Sequence, residues 1–132
     1  MDHVGIAVRS IAEALDVYRA LGLEVAHREE IASQGVATAL IPVGESRLEL
    51  LEPTAADSPV GRFLAKRGPG LHHICLAVAD LEAALADLSR RGFRLLNTAP
   101  VPGADGRRVA FLHPAAGHGV LLELSEDPRP AP

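Results

Sequence analysis

The chain has 132 residues, of which 48% are hydrophobic and 3% aromatic, and its formal charge is −4 at pH 7. This length suits one ordinary domain, and no apolar run reaches the roughly 18 residues that a membrane-spanning helix needs. The acidic balance and low aromatic content argue against nucleic-acid binding, which needs a basic face or stacking platforms. The start, MDHVGIAV, shows no signal peptide and Cys75 is the only cysteine, so we expect a cytoplasmic protein.

The first predicted elements form a βαβββ module over residues 1–55. A short strand, His3–Val8, is followed by Ser10, a helix N-cap residue with a glutamate three positions later. The helix is expected over Ile11–Leu21 and should end at Gly22. Three further strands are predicted, at Leu23–Arg28, Val36–Pro42 and Leu48–Leu51.

Residues 56–69 are predicted to form a linking helix, which begins after Ser58 and ends at Gly68. Residues 70–125 repeat the pattern of the first module. The expected elements are a strand at His73–Val78, a helix at Leu81–Arg91 with Asp80 as N-cap and Gly92 as stop, and strands at Phe93–Leu96, Arg108–Leu112 and Val120–Leu124. The tail over residues 126–132, EDPRPAP, is charged and Pro-rich, so it is expected to fray.

An internal duplication unites these modules. Shifting the sequence by 70 positions aligns DHVGIAVRSIAEALDVYRALGLEV with HHICLAVADLEAALADLSRRGFRL without a gap. His3 then meets His73 and Gly22 meets Gly92. The sequence therefore predicts a single domain of the α+β class, built from two tandem βαβββ modules.

Strand alternation places one histidine and one glutamate on the same face of each module. Every second residue of HVGIAV must cover the helix, which leaves His3 on the opposite face. In RLELL the leucines take the buried face and leave Glu49 beside His3. The same reasoning leaves Glu123 beside His73, whereas His72 points away. The remaining histidines are interpreted as surface or loop residues: His27, His113 and His118.

A glutamate between two leucines in a strand is costly to bury unless it is paired, protonated or bound to a metal. Two imidazole nitrogens and two carboxylates suit an open-sided octahedral site for Mn, Fe, Co or Ni, and also a Zn site. The alternative is that this face is simply solvated, as on the wet side of an antiparallel sheet. Symmetric placement in a duplicated chain favours a metal site at His3, Glu49, His73 and Glu123. Cys75 faces the same way and is interpreted as a small buried thiol.

Four segments resemble the vicinal oxygen chelate superfamily and, within it, the methylmalonyl-CoA epimerases. They cover nearly the whole chain: DHVGIAV, EIASQGVATALIPVGESRLELLEP, DSPVGRFLAKRGPGLHHICLAV and FLHPAAGHGVLLEL. Glyoxalase I, a close relative, typically has a DPDGY-type segment before its last strand. The resemblance implies that the mixed sheet curls around a metal-binding cleft. It also implies a homodimer and the same four metal ligands.

The activity implied by the resemblance is interconversion of (2R)- and (2S)-methylmalonyl-CoA through a metal-stabilised enolate. The implied cofactor is one divalent ion per chain, Co²⁺ first, with Mn²⁺, Ni²⁺, Fe²⁺ or Zn²⁺ as alternatives. The expected partner is an acyl-CoA thioester, with no nucleic acid and no membrane. Two other functions stay open: a glyoxalase-I-like lactoylglutathione lyase, and a metal-free small-molecule binding module of the antibiotic-resistance type.

Epimerisation needs a proton carrier on each face of the reacting carbon. Glu123 is the predicted carrier for one face. Some relatives carry a second glutamate shortly after the QGV segment, where this sequence has Thr38. Because a threonine hydroxyl is not a base near neutral pH, Glu49 or a metal-bound water is expected to serve the other face.

Overall fold

The computed structural model describes residues 1–127 and divides into two compact units. One unit is His3–His72, and the other contains Met1–Asp2 and the chain from His73 onward. Each unit holds most or all of one βαβββ module, so the predicted α+β class and the duplication are both confirmed. The elements in the described residues are β1 (His3–Ala7), α1 (Ile11–Ala20), β2 (His27–Ile31), β3 (Val36–Val43), β4 (Ser46–Pro53), α2 (Pro59–Arg67), β5 (Gly70–Val78), α3 (Leu81–Arg90), β6 (Val101–Pro102), β7 (Arg108–Phe111) and β8 (Leu122–Glu126).

The strand order is the same in both modules. In the first unit it is β2-β3-β4-β1, with β1 parallel to β4 and the other neighbours antiparallel. In the second unit it is β6-β7-β8-β5, with β5 parallel to β8 and the other neighbours antiparallel. The first and last strands of each module are therefore hydrogen-bonded neighbours, which places side chains of the two strands next to each other on the same face.

Side-chain caps begin the three α-helices as the sequence predicts. Ser10 accepts a hydrogen bond from the backbone N–H of Glu13 at 3.2 Å, and Asp80 accepts one from Ala83 at 3.0 Å. Ser58 does the same for Gly61 at 3.1 Å. Each cap satisfies a backbone donor that has no partner inside its own helix.

The sheet of the first unit is covered on both faces. Ile11 and Leu15 of α1 pack on one face against a cluster that includes Leu50. Val60 and Leu64 of α2 pack on the other face, against Ala7, Val36 and Leu51. The helix ends at Ala20, one residue earlier than predicted, and its C-cap residue, Leu21, is 71% exposed. Since Glu49 lies between Leu48 and Leu50 in β4, it shares the α2 face of the sheet with Leu51.

The predicted strand Leu23–Arg28 is wrong in its position. Leu23 and Val25 pack against the α1 cluster from a non-strand segment, and β2 begins only at His27. The ladder then continues to Ile31, which pairs with Val36 across the turn that precedes β3. The alternating apolar residues of this segment, Leu23 and Val25, are packed against the core as the pattern indicates. They pack from a loop, however, so no strand pairing is needed.

The predicted strand Phe93–Leu96 is also wrong. Only Leu95 forms a bridge there, with Leu112, and the side-chain oxygen of Asn97 accepts the backbone N–H of Phe111 at 2.9 Å. On the edge of β7 that faces away from β8, the regular partner strand is instead the two-residue strand β6. The Asn97 side chain therefore accepts the backbone N–H of Phe111, which a strand carbonyl would accept if the predicted strand were longer.

The last strand lies two residues beyond its predicted position, Val120–Leu124. The turn before it contains His118 with φ 55° and Gly119 with φ 93°, and Val120 donates to the carbonyl of Gly117 within that turn. Glu126 ends β8 and Asp127 donates a backbone hydrogen bond to Val78. These two residues of the predicted tail thus belong to the sheet, and residues 128–132 lie outside the described part of the chain.

Candidate metal and substrate site

In the first unit, His3 of β1 and Glu49 of β4 form a buried pair. The parallel register places Gly5 beside Glu49, so His3 lies two residues away on the same face. Nε2 of His3 is 3.4 Å from Oε1 of Glu49. Only 5% of His3 and 4% of Glu49 is exposed. The predicted neighbours are therefore together in this unit.

In the second unit, His73 of β5 and Glu123 of β8 form the matching pair. The parallel register places Cys75 beside Glu123, again two residues beyond the histidine. Nε2 of His73 is 3.2 Å from Oε1 of Glu123, and both residues are buried. The ring of Phe111 packs edge-on against the His73 ring, with 6.0 Å between centroids. An aromatic neighbour restricts the rotamers of the imidazole.

All four side chains are buried, so exposure to solvent does not explain why they are polar. A carboxylate removed from water needs compensation by hydrogen bonds, by an opposite charge or by a metal ion. The distances of 3.4 and 3.2 Å are long for a strong ionic hydrogen bond. They are close to the roughly 3 Å that separates adjacent ligands in an octahedral shell with bonds near 2.1 Å. The donor types and the spacing within each pair therefore fit a divalent metal.

Two buried hydroxyls lie on the same face as the glutamates: Thr38 is paired with the residue two positions after Glu49, and Ser125 lies two positions after Glu123. Thr38 of β3 pairs with Leu51, and Ser125 of β8 pairs with Val109. Each is 1% exposed, and neither hydroxyl oxygen has a hydrogen-bond partner in the described structure. A buried hydroxyl without a partner carries a desolvation penalty that a polar ligand would remove.

The other histidines and the cysteine have different surroundings. The ring of His72 packs edge-on against Phe63, at 5.0 Å between centroids. His113 accepts a backbone hydrogen bond from Ala115, in the turn that also contains His118. Cys75 is a buried thiol, as the sequence predicts. His27 lies in β2, and its side chain is 42% exposed.

Sequence reasoning missed one carboxylate on this face of the first unit. Glu29 of β2 is the cross-strand partner of Thr38, and cross-strand partners share a face. His27 and Glu29 form a third histidine–glutamate pair, with Nε2 and Oε1 3.1 Å apart. The alternation of HREEI would have shown both side chains on one face. The predicted strand ended at Arg28, however, and so excluded Glu29.

Comparison with known proteins identifies the family. Residues 2–111 match the model of the glyoxalase/bleomycin resistance protein/dioxygenase superfamily. The ethylmalonyl-CoA/methylmalonyl-CoA epimerase of Cereibacter sphaeroides is 39% identical over 129 residues, which cover 96% of each chain. This chain belongs to the methylmalonyl-CoA epimerase family.

Solved structures of methylmalonyl-CoA epimerases have the same fold. One is a Streptomyces coelicolor variant in complex with 2-nitronate-propionyl-CoA, with a TM-score of 0.94 and 43% identity. Another, in complex with methylmalonyl-CoA and NH₄⁺, has the same TM-score of 0.94 and identity of 43%. Each match covers 100% of this chain and 97% of the other. The epimerase fold therefore extends over the part of the chain that the structure describes, residues 1–127.

A helix able to span a bilayer is not found among the residues that the structure describes. The longest helices there have 10 residues each, about half the length that a hydrophobic core requires.

The unsatisfied hydroxyl of Thr38 predicts an unusual response to mutation. Thr38→Val keeps the side-chain shape and removes the hydroxyl, so the free energy of unfolding of the ligand-free protein should stay the same or rise by about 1 kcal/mol. Urea denaturation measures this change.

Ser58→Ala is the contrasting variant. Oγ of Ser58 donates to the carbonyl of Ala55 at 2.7 Å and caps α2, so its removal should cost about 1 kcal/mol. A Thr38→Val protein that is destabilised as much as Ser58→Ala would show that the hydroxyl has a partner in the folded chain.

Proposed function

We propose that this protein interconverts the (2R) and (2S) epimers of methylmalonyl-CoA. The observation that carries the proposal is the duplicated, buried histidine–glutamate pair, in a chain that belongs to the epimerase family. The methylmalonyl-CoA complex of a relative that is 43% identical supports an acyl-CoA thioester as the ligand. A glyoxalase-I-like reaction has no comparable support among these relatives.

We also propose that one divalent metal ion is bound by four ligands, a histidine and a glutamate from each module. Enzymes of this superfamily use a divalent metal, and the donor geometry within each pair fits one. Co²⁺ is the ion we expect, and Mn²⁺, Ni²⁺, Fe²⁺ and Zn²⁺ suit the same nitrogen and oxygen donors. When bound, the ion supplies a Lewis acid that stabilises negative charge on the thioester oxygen. The proposed ligands are His3, Glu49, His73 and Glu123.

Glu123 is the proposed proton carrier for one face of C2. The thioester acidifies the C2–H bond, and a carboxylate oxygen held at the reacting carbon accepts the proton. Phe111 and the surrounding β5 and β8 strands keep this carboxylate largely away from bulk water. Glu49 is the candidate that the sequence gives for the opposite face. Reprotonation on the face opposite to proton removal yields the other epimer.

We further propose a homodimer in the cytoplasm. The family resemblance supports the dimer, and the single cysteine, Cys75, which is a buried thiol, is compatible with a reducing compartment. Light scattering of the purified protein at micromolar concentration should give twice the mass of the 13.9 kDa chain. A mass equal to that of one chain would contradict the dimer.

The direct test of the reaction uses one epimer of methylmalonyl-CoA in D₂O with Co²⁺-loaded protein. We expect the second epimer to form and deuterium to enter at C2, because the proton removed exchanges with solvent. Proton NMR and chiral analysis of the thioester measure both quantities. Absence of both epimerisation and exchange would contradict the proposed function, and would favour a metal-free binding module.

Glu123→Gln should abolish epimerisation, with a loss of about 10²–10⁴-fold from the missing proton carrier alone. Glu45→Gln is the control, since Glu45 lies exposed in the turn between β3 and β4. Turnover near the wild-type rate in Glu123→Gln would remove this residue from the catalytic role.

A further inference from the structure

The first unit lacks a carboxylate at the β3 position that faces the proposed site. Thr38 stands there, buried and with a hydroxyl that has no partner in the described structure. A threonine hydroxyl cannot remove a C2 proton near neutral pH without a base beside it. A carboxylate base on this side of the substrate would therefore come from a neighbouring strand.

The strand registers identify that neighbour. Thr38 pairs with Glu29 on one side and with Leu51 on the other, so all three side chains share one row of the sheet face. Glu49 stands two residues from Leu51 on the same face, in the next row. In a directly opposed pair the Cβ atoms lie about 5 Å apart. A glutamate side chain can therefore reach across a short threonine.

The orientation of the Glu29 carboxylate is consistent with this reach. Its Oε1 is 3.1 Å from Nε2 of His27, which is its neighbour on the same face of β2. His27 pairs with Leu40, and Leu40 pairs with Glu49. The contact with His27 thus draws the carboxylate along β2 toward the row that contains Glu49.

The exposure of Glu29 suits a group that exchanges protons. Its side chain is 29% exposed, whereas Glu49 is almost completely buried. A proton carrier must return to its starting state after each turnover, and contact with water provides the route.

We propose that Glu29, rather than Glu49, is the second proton carrier of the epimerase; this proposal rests on the proposed function. In one direction the Glu29 carboxylate takes the C2 proton, and the electron pair of the broken C–H bond moves into the thioester to give the enolate. The carboxylic acid of Glu123 then donates its proton to the opposite face of C2. The reverse direction exchanges the two roles, and water restores both protonation states.

The test compares deuterium exchange with epimerisation in Glu29→Gln, starting separately from each epimer in D₂O. Glutamine cannot carry the proton, so epimerisation should fall by about 10²–10⁴-fold. Exchange at C2 should persist for the one epimer whose proton faces Glu123 and should be lost for the other. Because Glu29 is partly exposed, the variant is expected to fold, and circular dichroism checks this.

Glu30→Gln is the matched control. Glu30 follows Glu29 directly and carries the same charge, but it is exposed on the opposite face of β2. Both exchange rates and the epimerisation rate of this variant should equal those of the wild type. Equal losses in Glu29→Gln and Glu30→Gln would show a general charge effect and would overturn the proposal.

Glu49→Gln separates the two candidate carriers. If Glu49 acts as a ligand alone, this substitution should lower exchange of both epimers by a similar factor. Epimer-selective loss in Glu49→Gln, or epimerisation near the wild-type rate in Glu29→Gln, would overturn the role of Glu29. Loss of exchange from both epimers in a folded Glu29→Gln protein would also overturn it. A wild-type protein that neither epimerises nor exchanges would instead contradict the proposed function itself.

Discussion

Burying a carboxylate in a β-sheet imposes the constraint around which both modules are organised. Glu49 and Glu123 each lie between two leucines whose side chains pack on the helix side of the sheet. Because these leucines are fixed in the core, the strands cannot rotate the carboxylates into water. A histidine lies beside each glutamate because the first and last strands of the module are parallel neighbours. The cost of desolvating each carboxylate is thereby linked to the binding of a cation.

Duplication explains why the two pairs have the same geometry. In both modules the glutamate is registered against the residue two positions after the histidine, although the intervening loops differ. Two ligands from one module leave most positions of an octahedral shell open. The proposed set of four ligands would also leave positions of the shell for the substrate.

Local chemistry explains which parts of the fold the sequence predicts well. The caps at Ser10, Ser58 and Asp80 depend on residues three positions apart, and the faces of His3 and Glu49 follow from the period of two in a strand. The errors arise where tertiary contacts decide. Leu23 and Val25 pack without pairing, and the predicted strand Phe93–Leu96 is reduced to one isolated bridge, from Leu95 to Leu112.

The position of β2 had a functional consequence that the sequence did not predict. Glu29 joins the face of Thr38 only when β2 is placed at His27–Ile31, and that placement follows from its pairing with β3. The candidate ligands were accessible from the sequence because each occupies a strand with clear alternation. The candidate second proton carrier, Glu29, was not accessible from the sequence, because the position of β2 becomes clear only from its pairing with β3.

We propose that one metal ion is bound by four side chains, those of His3, Glu49, His73 and Glu123. Anomalous diffraction at the cobalt absorption edge, from crystals of Co²⁺-loaded protein, tests this most directly. We expect one anomalous peak per chain, at bonding distances of about 2.1 Å from one atom of each of the four side chains. A peak bound by only one histidine–glutamate pair, two separate peaks, or no peak at these residues would contradict it.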